Sequence, residues 1–224
     1  MKIEIIISRY NEDLKWTLEE PFNRFKYIVY NKGDNTLFEQ SRVIKIINLP
    51  NVGRESHTYL HHIIENYSNL PDILVCLPGS TNLIHKKPKA GMILKKIMQT
   101  KRAHFIGHYQ ISVKNTFHNF HLEEWKCTSQ ENFSKNPESY LKPCVIRPYG
   151  EWYSYFFGNK RAHWNTWCGI FSVDKRDILK NSINTYKTLI APISDHTNPE
   201  ANHYLERSWG VIFAPFANTI CSSM

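Results

Sequence analysis

Lys2-Ile3-Glu4-Ile5-Ile6-Ile7 runs directly into Ser8-Arg9-Tyr10-Asn11-Glu12-Asp13, and this junction decides the fold. An apolar β-type run followed by a polar tip recurs twice more. Phe25-Lys26-Tyr27-Ile28-Val29-Tyr30 leads into Asn31-Lys32-Gly33-Asp34, and Arg42-Val43-Ile44-Lys45-Ile46-Ile47-Asn48-Leu49 leads into Pro50-Asn51-Val52-Gly53-Arg54-Glu55. In open α/β sheets, ligands bind beyond the carboxyl ends of the strands, at a topological switch point. Three polar tips in that position predict one small-molecule site, where loops 9–13, 31–34 and 51–55 converge.

Working outward, Tyr59, Leu60, Ile63, Ile64 and Tyr67 share one helical face, and Asn69-Leu70-Pro71 stops that helix. Asp72-Ile73-Leu74-Val75-Cys76-Leu77 reads as a buried strand broken at Pro78-Gly79-Ser80. This alternation predicts a single α/β domain over residues 1–224, with a mostly parallel central sheet flanked by helices. Residues 108–165 read differently, being rich in Asn, His, Pro and aromatics such as Trp125, Trp152, Tyr153, Tyr155, Phe156, Phe157 and Trp164. They read as an aromatic insertion over the sheet. Cys168-Gly169-Ile170-Phe171-Ser172-Val173 is then a strand, and Asp174 caps a helix carrying Ile178 to Ile190. A final helix starts with Asn198 as cap, Pro199 in its first turn and Glu200 at the positive dipole end.

A chain of 224 residues supports one substantial core, and 42% hydrophobic with 21% charged residues is ordinary for a globular protein. No window approaches the roughly 18 to 20 apolar residues of a membrane span, and the strand pattern at Lys2–Glu4 does not read as a signal peptide. Cys76, Cys127, Cys144, Cys168 and Cys221 form no CxxC pair or Cys/His metal spacing, and Cys76 and Cys168 lie inside apolar runs, so buried reduced thiols at those two and a cytoplasmic location are expected. The net charge of +8 concentrates partly in Lys86, Lys87, Lys89, Lys95, Lys96, Lys101 and Arg102. Met92, Ile93, Leu94, Ile97 and Met98 give that stretch an apolar stripe, so it reads as a surface helix with a basic outer face. With no recognised nucleic-acid motif, no nucleic-acid partner is expected. The excess positive charge also suits anionic small substrates or an anionic surface.

Several clusters carry chemistry. Arg9 offers a fork of donors suited to phosphate, with Asn11, Glu12 and Asp13 beside it to read a nucleoside edge. The same residues suit a plain helix start, with Asn11 as cap. Asn51, Gly53 and Arg54 open a helix whose free N–H groups can receive phosphate, or form an ordinary capped turn. His57 and His61 stand four apart, but without an HExxH pattern they and His62 read as surface histidines. No acidic pair follows the 72–77 strand, and Asp72 sits at its wrong end. Glu206, next to Arg207, is either a base at a pocket rim or half of an ion pair anchoring the last helix. No GxSxG or papain-like cysteine context supports a hydrolase.

The segments Arg9-Tyr10-Asn11-Glu12-Asp13-Leu14-Lys15-Trp16, Tyr30-Asn31-Lys32-Gly33, Asn51-Val52-Gly53-Arg54-Glu55-Ser56-His57-Thr58-Tyr59-Leu60 and Glu206-Arg207-Ser208-Trp209 resemble a family catalogued as a domain of unknown function. That family in turn resembles nucleotide-sugar glycosyltransferases of the GT-A type. The resemblance implies transfer of a sugar from a nucleotide-sugar donor to a glycan or other hydroxyl acceptor. Arg9, Asn11, Glu12, Asp13, Lys32, Asn51, Gly53 and Arg54 would bind the donor, and Glu206 would be the base. The aromatic insertion would stack sugar rings or serve as local core. A divalent cation, Mn or Mg, belongs to many such enzymes, but no DxD motif is present here. That departure favours metal-free transfer or the alternative, a non-catalytic carbohydrate- or partner-binding protein on the same scaffold.

Overall fold

The computed structural model describes residues 1–123 and 141–223. Trp125 and Cys127, named above, lie outside the described residues. The chain forms a mixed α/β domain around a mostly parallel sheet. The three N-terminal runs become β1 (Ile3–Arg9), β2 (Tyr27–Asn31) and β3 (Val43–Asn48), and the fourth becomes β4 (Ile73–Pro78). Sheet order is β3-β2-β1-β4, all parallel, closed by β7 (Phe171–Asp174), which pairs antiparallel with β4. Neighbours of β1 lie on both sides, with Ile6 opposite Ile28 and Cys76, so the strand order reverses at the β1–β4 junction.

Successive side chains of β1 point to opposite faces, and both faces are covered, which is why its apolar run is unbroken. Ile6 belongs to one core with Tyr59, Leu60 and Ile63 of α1 (Arg54–Glu65) and Trp209 and Phe213 of α7 (Glu200–Phe213). Ile5 and Ile7 belong to a second core with Ala90, Ile93, Leu94 and Ile97 of α2 (Lys87–Thr100), Trp16 and Phe22. Beyond β7, Ser172 links the sheet to β5 (His104–Tyr109): its Oγ accepts from His104 N at 2.8 Å and donates to His104 O at 2.9 Å. Strand β5 lies between β6 (Trp164–Asn165) and β8 (Ile220–Ser223) in a second, three-stranded sheet.

Several local expectations need correction. Asn11 caps no helix; a 3-10 turn, Lys15–Leu18, follows Leu14, which takes a left-handed φ of 58°. Asp174 does cap, accepting from Arg176 N at 2.9 Å, but the helix divides into α5 (Lys175–Ile178) and α6 (Ile183–Ile190), because Ser182 opens the second by accepting from Thr185 N. The last helix is capped by Pro199 rather than Asn198, whose carbonyl instead takes Lys142 N at 3.0 Å. Residues 108–165 include α3 (Val113–Thr116) and α4 (Tyr149–Phe157). Tyr149 and Trp152 are buried against Tyr204, and Tyr153 against Tyr149, so these aromatics are core, while Tyr155 is exposed.

Three basic or ionisable groups also depart from their surface reading. Lys89 turns inward from α2 and is buried, because the 166–167 segment folds over it. His62 is buried between Tyr30, whose hydroxyl lies 2.9 Å from its Nδ1, and Glu4, whose Oε1 lies 3.0 Å from its Nε2. His57 is buried as well.

Candidate functional site

The polar tips of β1, β2 and the β3–α1 connection meet at the carboxyl-terminal edge of the sheet. Arg9, the last residue of β1, is 0% exposed. Its Nε donates to Glu12 O at 2.7 Å and its Nη1 to Asn35 O at 2.6 Å, with Asn31 Oδ1 and Tyr10 O as further acceptors of Nη1. The guanidinium also stacks 4.0 Å above the Phe38 ring. Burial lowers its pKa from the ordinary arginine value. Arg9 therefore ties loop 10–12 to loop 31–38, and its Nη2 alone has no hydrogen-bond acceptor among the described residues.

The loops are in tight contact. A Cβ on Gly33 would lie 1.9 Å from Tyr10 O and 2.2 Å from Asn11 Oδ1, so only glycine fits. Asn11 Oδ1 accepts from Asn35 N at 3.2 Å. Glu12 turns back over the end of β4: its Oε2 accepts from Tyr10 N at 2.7 Å and stands 2.5 Å from where a Gly79 Cβ would be. Trp16 holds the same spot by donating its Nε1 to Gly79 O at 2.9 Å. Asp13 faces solvent and caps Lys15 N at 3.0 Å.

Lys32 joins the second tip to the third. Its ammonium is buried and donates to Val52 O at 2.6 Å and to Arg54 O. Burial brings its pKa down to about 7. The clasped turn, which starts at Asn51, is left-handed at two successive residues, Gly53 with φ 55° and Arg54 with φ 46°. Gly53 is required there, since a Cβ would meet Ile193 O at 2.3 Å. Arg54 accepts the disfavoured conformation, an outlier of the kind that concentrates at functional sites. Its Nη1 reaches Asn198 Oδ1 at 3.5 Å.

Glu206 faces this turn from α7. Its Oε1 accepts from Cys168 N at 2.6 Å, and burial raises its carboxyl above the ordinary range, with the charge of Glu55 adding to the effect. Glu55 lies against Gly169, whose Cβ would stand 2.7 Å from Glu55 Cγ. The two carboxylates thus flank one turn, left-handed at Cys168 (φ 66°) and Gly169 (φ 61°). On its other side, Lys89 donates to Trp167 O at 3.0 Å and to Thr166 Oγ1, and burial lowers its pKa to about 8. Ser56 Oγ, His57 Nδ1 and Tyr59 Oη are buried on the first turns of α1 without a hydrogen-bond partner among the described residues. Burial pushes the Tyr59 hydroxyl well up, and Cys76, Glu55, Glu206 and Glu12 add to it. Burial likewise lowers His57 to about 4 and His203 to about 3.

Glu206 makes no ion pair with Arg207 within 4.0 Å. Arg207 is instead held over Phe120 at 3.4 Å and Trp167 at 4.8 Å, with its Nη1 donating to His203 O at 2.8 Å. The other late acids serve elsewhere. Glu200, 0% exposed, accepts from Leu122 N, Cys144 N and the Tyr204 hydroxyl, each at 2.8 Å, and pairs with Arg147 at 3.1 Å. Asp195 pairs with Lys142 at 2.5 Å on the surface. Sequence reasoning missed Glu55, Lys89 and the Cys168–Gly169 turn. Glu55 alone left a signal, its place in the first turn of a helix that opens from a strand tip.

Among the described residues, no group of three or more His, Cys, Asp or Glu is placed to hold a metal ion, and no helix is long and apolar enough to cross a membrane. A family model described as a protein of unknown function (DUF3431) matches residues 5–224. No curated protein matches the chain.

Proposed function

The chain belongs to the DUF3431 family, and from that premise we propose that it transfers a sugar from a nucleotide-sugar donor to a hydroxyl acceptor on a GT-A type architecture. The observation that carries this reading is Glu206. It is a carboxylate late in the chain, brought to the edge where β1 ends, with its proton affinity raised by burial and by Glu55. Raised proton affinity makes such a carboxylate a stronger general base than an ordinary one. Glu206 would take the acceptor hydroxyl proton as that oxygen bonds to the anomeric carbon. The bond from that carbon to the diphosphate oxygen breaks in the same step.

We assign charge stabilisation of the leaving diphosphate to Arg54 and to the amides opening α1. Arg9 and Lys32 shape the pocket wall, since Arg9 Nε and Nη1 and the Lys32 ammonium hold loop carbonyls. Asn11, Glu12 and Asp13 would face the nucleoside, and Asn51 and Gly53 the donor sugar. The residues do not fit a divalent cation. Glu12 lies against the end of β4 with its Oε2 accepting from Tyr10 N, no group of three or more His, Cys, Asp or Glu among the described residues is placed to hold a metal, and hard cations want several oxygen ligands.

Glu206→Gln tests the assignment. Donor binding by calorimetry should persist while transfer falls by about 10²-fold or more, the usual scale for a positioned base. Full turnover in a folded Glu206→Gln variant would refute it. The inward commitment of Arg9 and Lys32 favours a second reading, a carbohydrate-binding protein without turnover. Saturable binding of nucleotide sugars with no product from any acceptor would establish that reading instead.

A further inference from the structure

Away from the strand tips, a groove of about 700 Å³ runs along the outer flank of α2, between that helix and the segment around Pro21 and Phe22. Its lining positions Ile84, Pro88, Met92, Lys95 and Gln99 recur at helical spacing, so one face of α2 and the turn before it form one wall. At the end of this wall nearest the strand tips, Ile84 is 90% exposed, and Leu83 and Leu18 are also exposed.

The charges on this face divide into two sets. Glu19 is neutralised by Lys87, and Glu20 by Arg24 at 2.9 Å. Lys95 and Lys96, on the groove rim, form no ion pair within 4.0 Å among the described residues, although Lys95 helps to hold the Glu20 carboxyl below its usual range after Arg24. Lys86, beside Ile84, donates to Ser80 Oγ at 2.8 Å and has no acidic partner within 4.0 Å among the described residues. The face therefore combines uncompensated ammonium groups with solvent-exposed branched aliphatics.

We propose that this face docks on a membrane surface carrying anionic lipid, with Leu83 and Ile84 entering the headgroup boundary and Lys86, Lys95 and Lys96 on the lipid phosphates. Interfacial binding requires both parts: apolar area to bury, and cations that gain from the negative surface potential. Single-stranded nucleic acid fits less well, because its base-stacking platforms are aromatic, and the exposed apolar groups here are aliphatic. The proposal does not depend on sugar transfer.

The test is flotation of the full chain with phosphatidylcholine vesicles, with and without phosphatidylglycerol. The chain should float only with the anionic vesicles, and added salt should release it. Lys95→Glu with Lys96→Glu, and separately Ile84→Asp, should each weaken partitioning about tenfold or more. These side chains are exposed or unpaired, so melting should match the parent chain, and Ile84→Ser replaces any variant that does not fold. No flotation, equal flotation with neutral vesicles, unchanged flotation in folded variants, or displacement from vesicles by an oligonucleotide would each overturn the proposal.

Discussion

Acid probes the buried imidazoles of the site before any substrate is known. His57 and His203 are 7% and 9% exposed, and burial holds them at about 4 and about 3. Lys32 contributes at His57, and Arg54 and Arg207 at His203. Unfolded histidine titrates near 6.5, so the unfolded chain takes up both protons first. Stability is therefore fully present above about pH 6.5 and is lost as pH falls toward the folded values. Each histidine costs about 1.4 kcal/mol per pH unit across that window. Between about pH 6.5 and about pH 4 the pair removes about 5 to 6 kcal/mol, because the slope is reduced near each pKa, against a total stability of roughly 5–15 kcal/mol for a typical domain. Glu206 offsets part of this, because a raised folded pKa favours the folded state as pH falls. Asp177 acts lower: burial opposes it, but Lys180, Thr219 and the amide of Ala217 hold it at about 2. The assay is urea unfolding at closely spaced pH values for the parent chain, His57→Gln, His203→Gln and the double variant. The double variant should show a much flatter fall in midpoint. Parallel curves for parent and double variant would refute buried neutral imidazoles.

Other consequences are equally direct. Gly33→Ala should lower stability by about 1–3 kcal/mol, the scale of overpacking, because its Cβ meets the Tyr10 carbonyl at 1.9 Å; Gly79→Ala should melt near the parent, since its Cβ meets only the movable Glu12 carboxylate. Thermal melting of both checks the contrast. Glu200→Ala should cost about 3 kcal/mol or more, as for a broken buried pair, and hydrogen exchange should rise in residues 117–123 and 141–147, whose amides or guanidinium it holds. Lys32, lowered to about 7 by burial, should make the parent gain stability relative to Lys32→Met as pH rises from about 7 toward the unfolded value near 10.4. Equal urea midpoints across that range would count against a buried, carbonyl-bound ammonium.

The sheet was legible because its signal is local. Ile5, Ile6 and Ile7 are apolar without a gap, which is what a strand covered on both faces requires, and the polar tips mark where each strand leaves the core. Arg9 shows where this reading stops. A guanidinium at a strand tip looks like a phosphate grip until loop 31–38 closes over it, with Asn35 O and the Phe38 ring as its partners. His62 likewise reads as a surface residue until Tyr30 and Glu4, distant in sequence, are seen to enclose it.

The same limit governs the centre of the site. Position 89 falls in a run of lysines whose helical pattern predicts a solvated face, and only the fold of residues 166–167 across α2 turns that ammonium inward. The left-handed turn at Cys168 and Gly169 is equally hidden, because a cysteine gives no sign that it will adopt φ 66°. Once formed, the segment is held by Lys89 at Thr166 and Trp167 and by Glu206 at the Cys168 amide. The charge of Glu206 supports the Lys89 ammonium across it against the cost of burial. The late carboxylate was legible as a candidate from its place in the chain. The features that raise its proton affinity, burial and Glu55, come from packing a helix start near residue 55 against one near residue 200, and no local pattern carries that contact.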